Sequence, residues 1–334
     1  MAYDNNVLRR ATAQLEQRRT RRSEELERRR TEVYARCPRV AEIDRELRRT
    51  IVDIISASLK NGSDPVPSIQ VIRDHNLDLQ RERAELLAGA GYPADILEDR
   101  PDCPHCGDTG WRGSEMCGCL RDLCAREQIV ELSDLLGLGE QSFDSFSLDY
   151  YSARPGPGME VSPRENMELV YEVCLNYAQK FGKFYFNNLL LTGGTGLGKT
   201  FLSACIARVV AENGHSVVYD SAGSIFARFE ARKFSRDPED TRDARDETRR
   251  YLNCDLLIVD DLGSELTTPF VQSALYQLVN ERLVSGRRTV ISTSLSLGDI
   301  RQRYTPQIAS RLEGEYMALH FYGEDIRLLK KQRM

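Results

Sequence analysis

The sequence predicts an α/β domain built on a parallel sheet with helices on both faces, and three observations predict it. Residues 193–200 read GGTGLGKT, a glycine, four free positions, a second glycine, then Lys and Thr, set between a strand-like and a helix-like run. Residues 255–261 read DLLIVDD, four apolar residues that end in two carboxylates. From the first motif to Phe321, short apolar runs alternate with amphipathic ones and few breaks intervene, the pattern of βα units.

The loop comprises Gly193, Gly194, Thr195, Gly196, Leu197, Gly198, Lys199 and Thr200. Its glycines let the backbone curl so that successive N–H groups face a β-phosphate, Lys199 reaches the β- and γ-oxygens, and the Thr200 hydroxyl can ligate Mg²⁺. Residues 188–192 (NLLLT) predict the buried strand entering the loop, and 199–211 the helix whose N-terminus faces the phosphates. At the end of the second motif, Asp260 is in position to hold Mg²⁺ through water and Asp261 to orient an attacking water as base.

The remaining elements of this half follow from local signals. Ser162, Pro163 and Glu165 form a capping box with Pro at the first helical position, and Met167, Val170, Tyr171, Cys174, Tyr177, Ala178 and Phe181 follow at helical spacing. Residues 142–151 and the Pro/Gly stretch 155–158 predict a linker into the domain; Phe143 and Phe146 could line a base site, though lone aromatics are more often core. After Gly214 come a strand at 216–219, a helix over 223–233, and a charged stretch 235–250 that reads as a solvated excursion in preference to a surface for DNA or a partner. Residues 270–283 predict a helix and 289–293 (TVIST) a strand, with Thr293 and Ser294 as candidates to touch a γ-phosphate or the attacking water. Thr305 and Pro306 open a helix containing Arg311, and a strand at 316–321 precedes a basic tail.

Composition bounds the rest. The chain has 334 residues, enough for about two domains, and a formal net charge of −5. Residues 1–50 hold 14 Arg and no Lys against 9 acidic residues, so they carry +5 and the remainder −10. Such a segment could meet an acidic surface or nucleic acid, but mixed charge on a long helix is more often a solvated face. No apolar run approaches membrane-span length and the Arg-rich start lacks the apolar core of a secretion signal, so a cytoplasmic protein with no membrane partner is expected.

Residues 5–59 are charged and helix-favouring, with sparse apolar positions at Leu8, Leu15, Leu26 and Val33 and a denser set at Val40, Ile43, Leu47, Ile51, Ile54 and Ile55. Pro38 interrupts the run and residues 61–67 (NGSDPVP) end it, predicting a helical hairpin, followed by a polar helix over 68–89. This arm could bind a partner or simply cap the fold.

Of the nine cysteines, five fall between Cys103 and Cys124, which favours metal over disulfides. Cys103 and Cys106 have the spacing that places two thiolates on one cation, and Cys117 and Cys119 can complete a tetrahedral Zn²⁺ site. The second pair is separated by one residue, less usual for a zinc knuckle, so Cys124 or His105 could replace one ligand. Four protein ligands leave no open position, so the role expected is structural.

Together GGTGLGKTFLSACIA, LLIVDDLGSE, the helix ending Asn280-Glu281-Arg282, TVISTSLS and Ile308-Ala309-Ser310-Arg311-Leu312 resemble the DnaC/DnaI-type helicase loaders of the AAA+ superfamily, a group that includes the IstB-type transposition ATPases. The resemblance covers about residues 140–330, and CPHCGDTGW with CGCL extends it to the zinc segment. It implies a five-stranded P-loop NTPase sheet with the phosphate-loop strand in the middle, ATP at subunit boundaries, and Arg311 as an arginine finger reaching a neighbour's γ-phosphate. It implies three regions: a helical partner-binding arm over 1–100, a zinc segment and connector over 101–139, and an AAA+ ATPase domain over 140–334 without a C-terminal lid. The partners implied are a replicative DnaB-type helicase, single-stranded DNA and further copies of the chain at the ATP sites. Activation of a transposase on DNA is the alternative, and an adaptor that binds ATP without hydrolysing it a third reading. Two departures point to slow turnover: Asp261 stands where many AAA+ proteins have Glu, and Ser294 where the family commonly has Asn, whose amide both donates and accepts.

Overall fold

The structure, a computed structural model, describes residues 3–59, 66–136, 142–156, 158, 160–235 and 238–332. The chain forms two compact units: Thr12–Cys119 is one, and Met1–Ala11 with Leu120–Met334 the other. Residues 139–140, where the sequence places the start of the ATPase domain, and residues 61–65 of the expected helix break lie outside the described residues.

The first unit is helical. Helix α1 (Asn5–Arg36) gives way to α2 (Pro38–Leu59) at the proline, which lacks an N–H and so opens a helix more readily than it continues one. With α3 (Val66–Gly89), these helices bury Val33, Val40, Leu87 and Leu97 in a small core. Asp44 ties all three together, accepting from the Tyr34 hydroxyl at 2.7 Å and pairing with Arg83 at 2.8 Å. A two-stranded hairpin, β1 (Trp111–Arg112) with β2 (Glu115–Met116), carries the cysteines.

In the second unit α4 (Gly118–Leu136) and α5 (Pro163–Gln179) precede a five-stranded, all-parallel sheet. Its strands in chain order are β3 (Leu189–Gly193), β4 (Val217–Ser221), β5 (Leu256–Leu262), β6 (Arg288–Thr293) and β7 (Met317–Phe321). Their spatial order is β4-β5-β6-β3-β7. The phosphate-loop strand β3 is therefore interior but second from one edge, and β6 holds the middle position that the resemblance gave to β3. The intervening helices are α6 (Lys199–Glu212), α7 (Ala222–Phe234), α8 (Pro238–Asn253), α9 (Pro269–Val284), α10 (Leu297–Arg303) and α11 (Pro306–Glu315), and α12 (Ile326–Gln332) follows the last strand.

Alternation along each strand explains the layering. Leu189, Leu191, Ile258 and Val290 face one way, into a core with α5 and α6, while Leu190, Leu257, Val259 and Ile291 face the other, into a core with α7, α9 and α11. A strand buried on both faces reads as an unbroken apolar run, which is why NLLLT and LLIV carry no polar alternation. Ser162 and Glu165 make the expected capping box, and Thr268 and Thr305 cap α9 and α11.

Two sequence expectations are corrected. The charged stretch 235–250 is largely helix α8, with Ala244, Thr248 and Tyr251 buried along one side, so only its outer face is solvated. Residues 142–151 are not a free linker: two 3₁₀ turns, Phe143–Ser145 and Leu148–Tyr150, pack Phe143 and Tyr151 into the core. Among the described residues, no helix is long and apolar enough to cross a membrane.

Candidate functional site

The phosphate loop joins β3 to α6 at the C-terminal edge of the sheet. Gly198 is the N-cap of α6 with φ 91°, a left-handed conformation that glycine adopts without steric cost, and the Tyr151 hydroxyl donates to the Leu197 carbonyl at 2.9 Å. Lys199 is buried and its ammonium donates to the Gly193 and Gly194 carbonyls at 2.7 and 2.6 Å, which holds it over the loop. Burial pulls this amine below the ordinary lysine range; Asp261 and Asp260 oppose the shift and Arg327 adds to it.

Across from the loop, β5 delivers the two carboxylates through an irregularity. Its register against β6 breaks between Val259 and Leu262, and Asp261 takes φ 54°. A bulge re-aims side chains at the end of a strand, so two consecutive acids that would otherwise point to opposite faces both reach the cavity. Asp260 accepts from the Thr200 hydroxyl at 3.1 Å and from the Ser292 hydroxyl, and Ser292 Oγ in turn accepts the Asp261 N–H at 2.9 Å. Thr200 and Asp260 thus present oxygen atoms side by side, a donor set suited to Mg²⁺ either directly or through water.

These groups line one cavity of about 530 Å³, formed by Thr195 to Phe201, Asp260, Asp261 and Ser292 together with Ser145, Phe146, Ser147 and Tyr150. Phe146 stacks on Tyr171 at 5.4 Å, which fixes its ring at the cavity wall. Ile326, Arg327 and Lys330 of α12 complete the lining. The sequence had treated that segment as a basic tail, and Ser292 was not singled out within the strand at 289–293. Thr293 is buried and donates to the Leu262 carbonyl at 2.6 Å, while Ser294 is exposed at the tip of β6, outside the set of lining residues. Arg311 sits half-buried on α11, also outside the lining, and among the described residues its side chain has no ion-pair or hydrogen-bond partner.

The cysteines form a second centre. The sulfurs of Cys103, Cys106, Cys117 and Cys119 lie within 4.8 Å of one another, with Cys103 to Cys117 at 3.8 Å and Cys106 to Cys119 at 3.4 Å. A tetrahedron of Zn–S bonds of about 2.3 Å has edges of about 3.8 Å, so this donor set fits Zn²⁺. Cys124 is buried in α4 and His105 is exposed; neither joins the cluster. Asp108, buried at φ 62°, organises the knuckle: one carboxylate oxygen accepts the Cys103 N–H at 2.7 Å, the other accepts the Asp102 N–H at 3.0 Å and pairs with Arg22 of α1.

A phosphate loop, two acids at the tip of a parallel strand and a five-stranded parallel sheet define a P-loop nucleotide-binding domain. Residues 184–318 match the family model described as IstB-like ATP binding protein, so the chain carries a domain similar to that family. The chromosomal replication initiator protein DnaA of Zymomonas mobilis subsp. mobilis is 32% identical over 147 residues, 43% of this chain and 29% of that protein. DnaA of Aliarcobacter butzleri is 28% identical over 150 residues, 44% and 32% of the two chains. The chain therefore spans about a third or less of these curated relatives. Among solved structures, the DnaC helicase loader is similar with TM-score 0.42 and 17% identity, covering 54% of this chain and 98% of that one. DnaI gives 0.43 and 16%, covering 58% and 92%.

Proposed function

We propose that the protein is an ATP-driven loader that delivers a replicative ring helicase to single-stranded DNA. The observation that carries the ATP switch is the pairing of Thr200 with Asp260 in the cavity that Lys199 also lines, in a domain similar to IstB-like ATP-binding proteins. The motif resemblance to helicase loaders, which extends into the cysteine segment, supports the loader role. Residues 1–100 serve as the partner-binding arm, 101–139 as the zinc segment and connector, and 140–334 as the ATPase domain.

In this reading the loop N–H groups and Lys199 hold the β- and γ-phosphates, and Thr200 and Asp260 hold Mg²⁺. The metal, when bound, draws charge from the phosphoryl oxygens. Asp261 orients the attacking water and takes its proton. Asp is shorter than Glu and its position is set by the bulge, so turnover is slow and the bound nucleotide acts mainly as a state signal. Arg311, without a partner in its own chain among the described residues, reaches the γ-phosphate held by a neighbouring copy. Zn²⁺ on the four cysteines is structural.

For the nucleic acid, Arg232, Arg242, Arg245 and Arg249 line an open concavity of about 850 Å³ on α7 and α8, together with Asp246 and Glu281. Clustered guanidinium groups of this kind suit a phosphate backbone.

The test is co-elution of the purified full chain with the replicative helicase hexamer of its source, with and without Mg²⁺-ATP. Nucleotide-dependent co-elution, lost on Lys199→Ala, is the expected result. Absence of any complex, together with DNA-stimulated phosphate release in the presence of a transposase, would transfer the same ATPase to the transposition reading.

A further inference from the structure

The turn that follows the two acids of β5 is tightly wound and fastened on several sides. Asp261 at φ 54° and Gly263 at φ 104° both take left-handed conformations, and a side chain at position 263 would meet Leu295 at 2.7 Å. A residue other than glycine keeps such a backbone only where its surroundings over-determine it. Here the Asp261 N–H donates to Ser292 Oγ at 2.9 Å, its carbonyl accepts from the Ser264 hydroxyl at 2.8 Å, and the Leu262 carbonyl accepts from the Thr293 hydroxyl at 2.6 Å. Glu265 adds a further fastening. One of its carboxylate oxygens accepts the Gly263 N–H at 2.8 Å, and the other accepts from the hydroxyl of Tyr304, which is buried in the core at the end of α10. The Glu265 carbonyl accepts from the Arg303 guanidinium at 2.8 Å, and Arg303 donates to the Thr267 hydroxyl at 2.8 Å.

We propose that Glu265 is a positioning residue for the water-orienting carboxylate: by bridging the Gly263 N–H and the Tyr304 hydroxyl it pins the left-handed turn to α10 and so sets the reach of Asp261 into the cavity. Neither Glu265 nor Tyr304 lines that cavity, so Glu265 acts through the backbone of Asp261 and not on the nucleotide. Side-chain length makes such a device effective. Aspartate has one methylene fewer than glutamate, so its carboxylate stays close to the main chain and its aim follows the backbone dihedrals. The bridge also explains why an acid stands at position 265. Two donors, an N–H from the turn and an O–H from the end of α10, converge on it, and a carboxylate offers one oxygen to each.

This inference rests on the reading of the site as an ATPase in which Asp261 orients the water, and the experiment separates the two. Mg²⁺-ATP affinity by equilibrium binding, and kcat by phosphate release in the presence of DNA, are measured on the full chain for wild type, Asp261→Asn, Glu265→Ala, Glu265→Gln and Tyr304→Phe. The glutamine amide preserves the bridge, since its oxygen accepts the Gly263 N–H and its nitrogen donates to the Tyr304 oxygen. Glu265→Ala is expected to lower kcat roughly 10- to 100-fold, the range for a reacting group displaced by up to about 1 Å, with ATP affinity changed less than about threefold. Glu265→Gln should retain most of the wild-type rate. Tyr304→Phe removes a single oxygen atom from the bridge and so carries the same test with the least disturbance of the fold: kcat should fall by less than in Glu265→Ala, again at unchanged ATP affinity. A wild-type kcat in Glu265→Ala or Tyr304→Phe, or a loss in Glu265→Gln as large as in Glu265→Ala, would overturn the proposal. So would a loss in Glu265→Ala that falls equally on ATP affinity, the mark of a general structural role. If Asp261→Asn keeps the wild-type rate, or the wild type does not bind ATP, the reading of the site fails and the proposal with it.

Discussion

Among the described residues Arg282 is the largest side chain to be fully buried, and no carboxylate meets it. Its guanidinium is satisfied by the Thr289 hydroxyl at 2.9 Å and by the carbonyls of Tyr251, Cys254 and Arg288, so it joins the ends of α8 and α9 to β6. Arg282→Ala would leave several buried carbonyls unpaired and is expected to cost about 3 kcal/mol or more in chemical denaturation. A loss below about 1 kcal/mol, within the range of ordinary surface changes, would contradict this account. In the sequence an arginine near a helix end reads as surface; only the motif resemblance marked it. Ser292 tells a similar story. Lys199, Thr200, Asp260 and Asp261 were legible because the motifs fix their spacing, but the serine that holds Asp260 and Asp261 together became visible only with the bulge, which no local periodicity encodes. Ser292→Ala should therefore weaken Mg²⁺-dependent ATP binding about tenfold, the worth of a hydrogen bond to a charged group. Magnesium titration of ATP affinity would show it, and an unchanged magnesium dependence would count against the role given to Ser292.

At the scale of elements, apolar strands, capped helices and the long polar helices α1 to α3 were readable in the sequence, whereas two shorter polar elements were not. Helix α8 buries only one narrow side and α12 is short and basic, so hydropathy alone cannot separate either from a loop. The turns at 142–151 were hidden for another reason: their aromatics pack against the loop and α5, contacts distant in sequence. The arginine face of α8 carries a direct test. Arg245→Glu with Arg249→Glu should weaken single-stranded DNA binding and flatten its dependence on salt, because fewer counterions are released. Binding with unchanged affinity and salt slope would place the DNA elsewhere. The cysteine hairpin offers its own reporter, since Trp111 is the only tryptophan of the chain and lies in β1. One zinc per chain is expected by elemental analysis, and its removal by a chelator should change Trp111 emission. A metal-free chain with the same emission spectrum would exclude a structural zinc.

At the scale of the whole molecule, the proposal is a switch whose sites are completed between copies. Lys199, Thr200, Asp260 and Asp261 meet in one cavity and Arg311 lies outside its lining, so in this proposal the finger comes from a second chain. The sequence conveyed the chemistry of one copy; how copies meet is a property of surfaces, which motif spacing does not describe. The most direct measurement is phosphate release by two variants, Asp261→Asn and Arg311→Ala, assayed separately and as an equimolar mixture in the presence of DNA. The account predicts that each variant is inactive alone and that mixing restores a substantial part of the activity, through sites with Asp261 from one chain and Arg311 from its neighbour. A mixture as inactive as its components, or a wild-type rate per chain that stays constant on dilution, would contradict it.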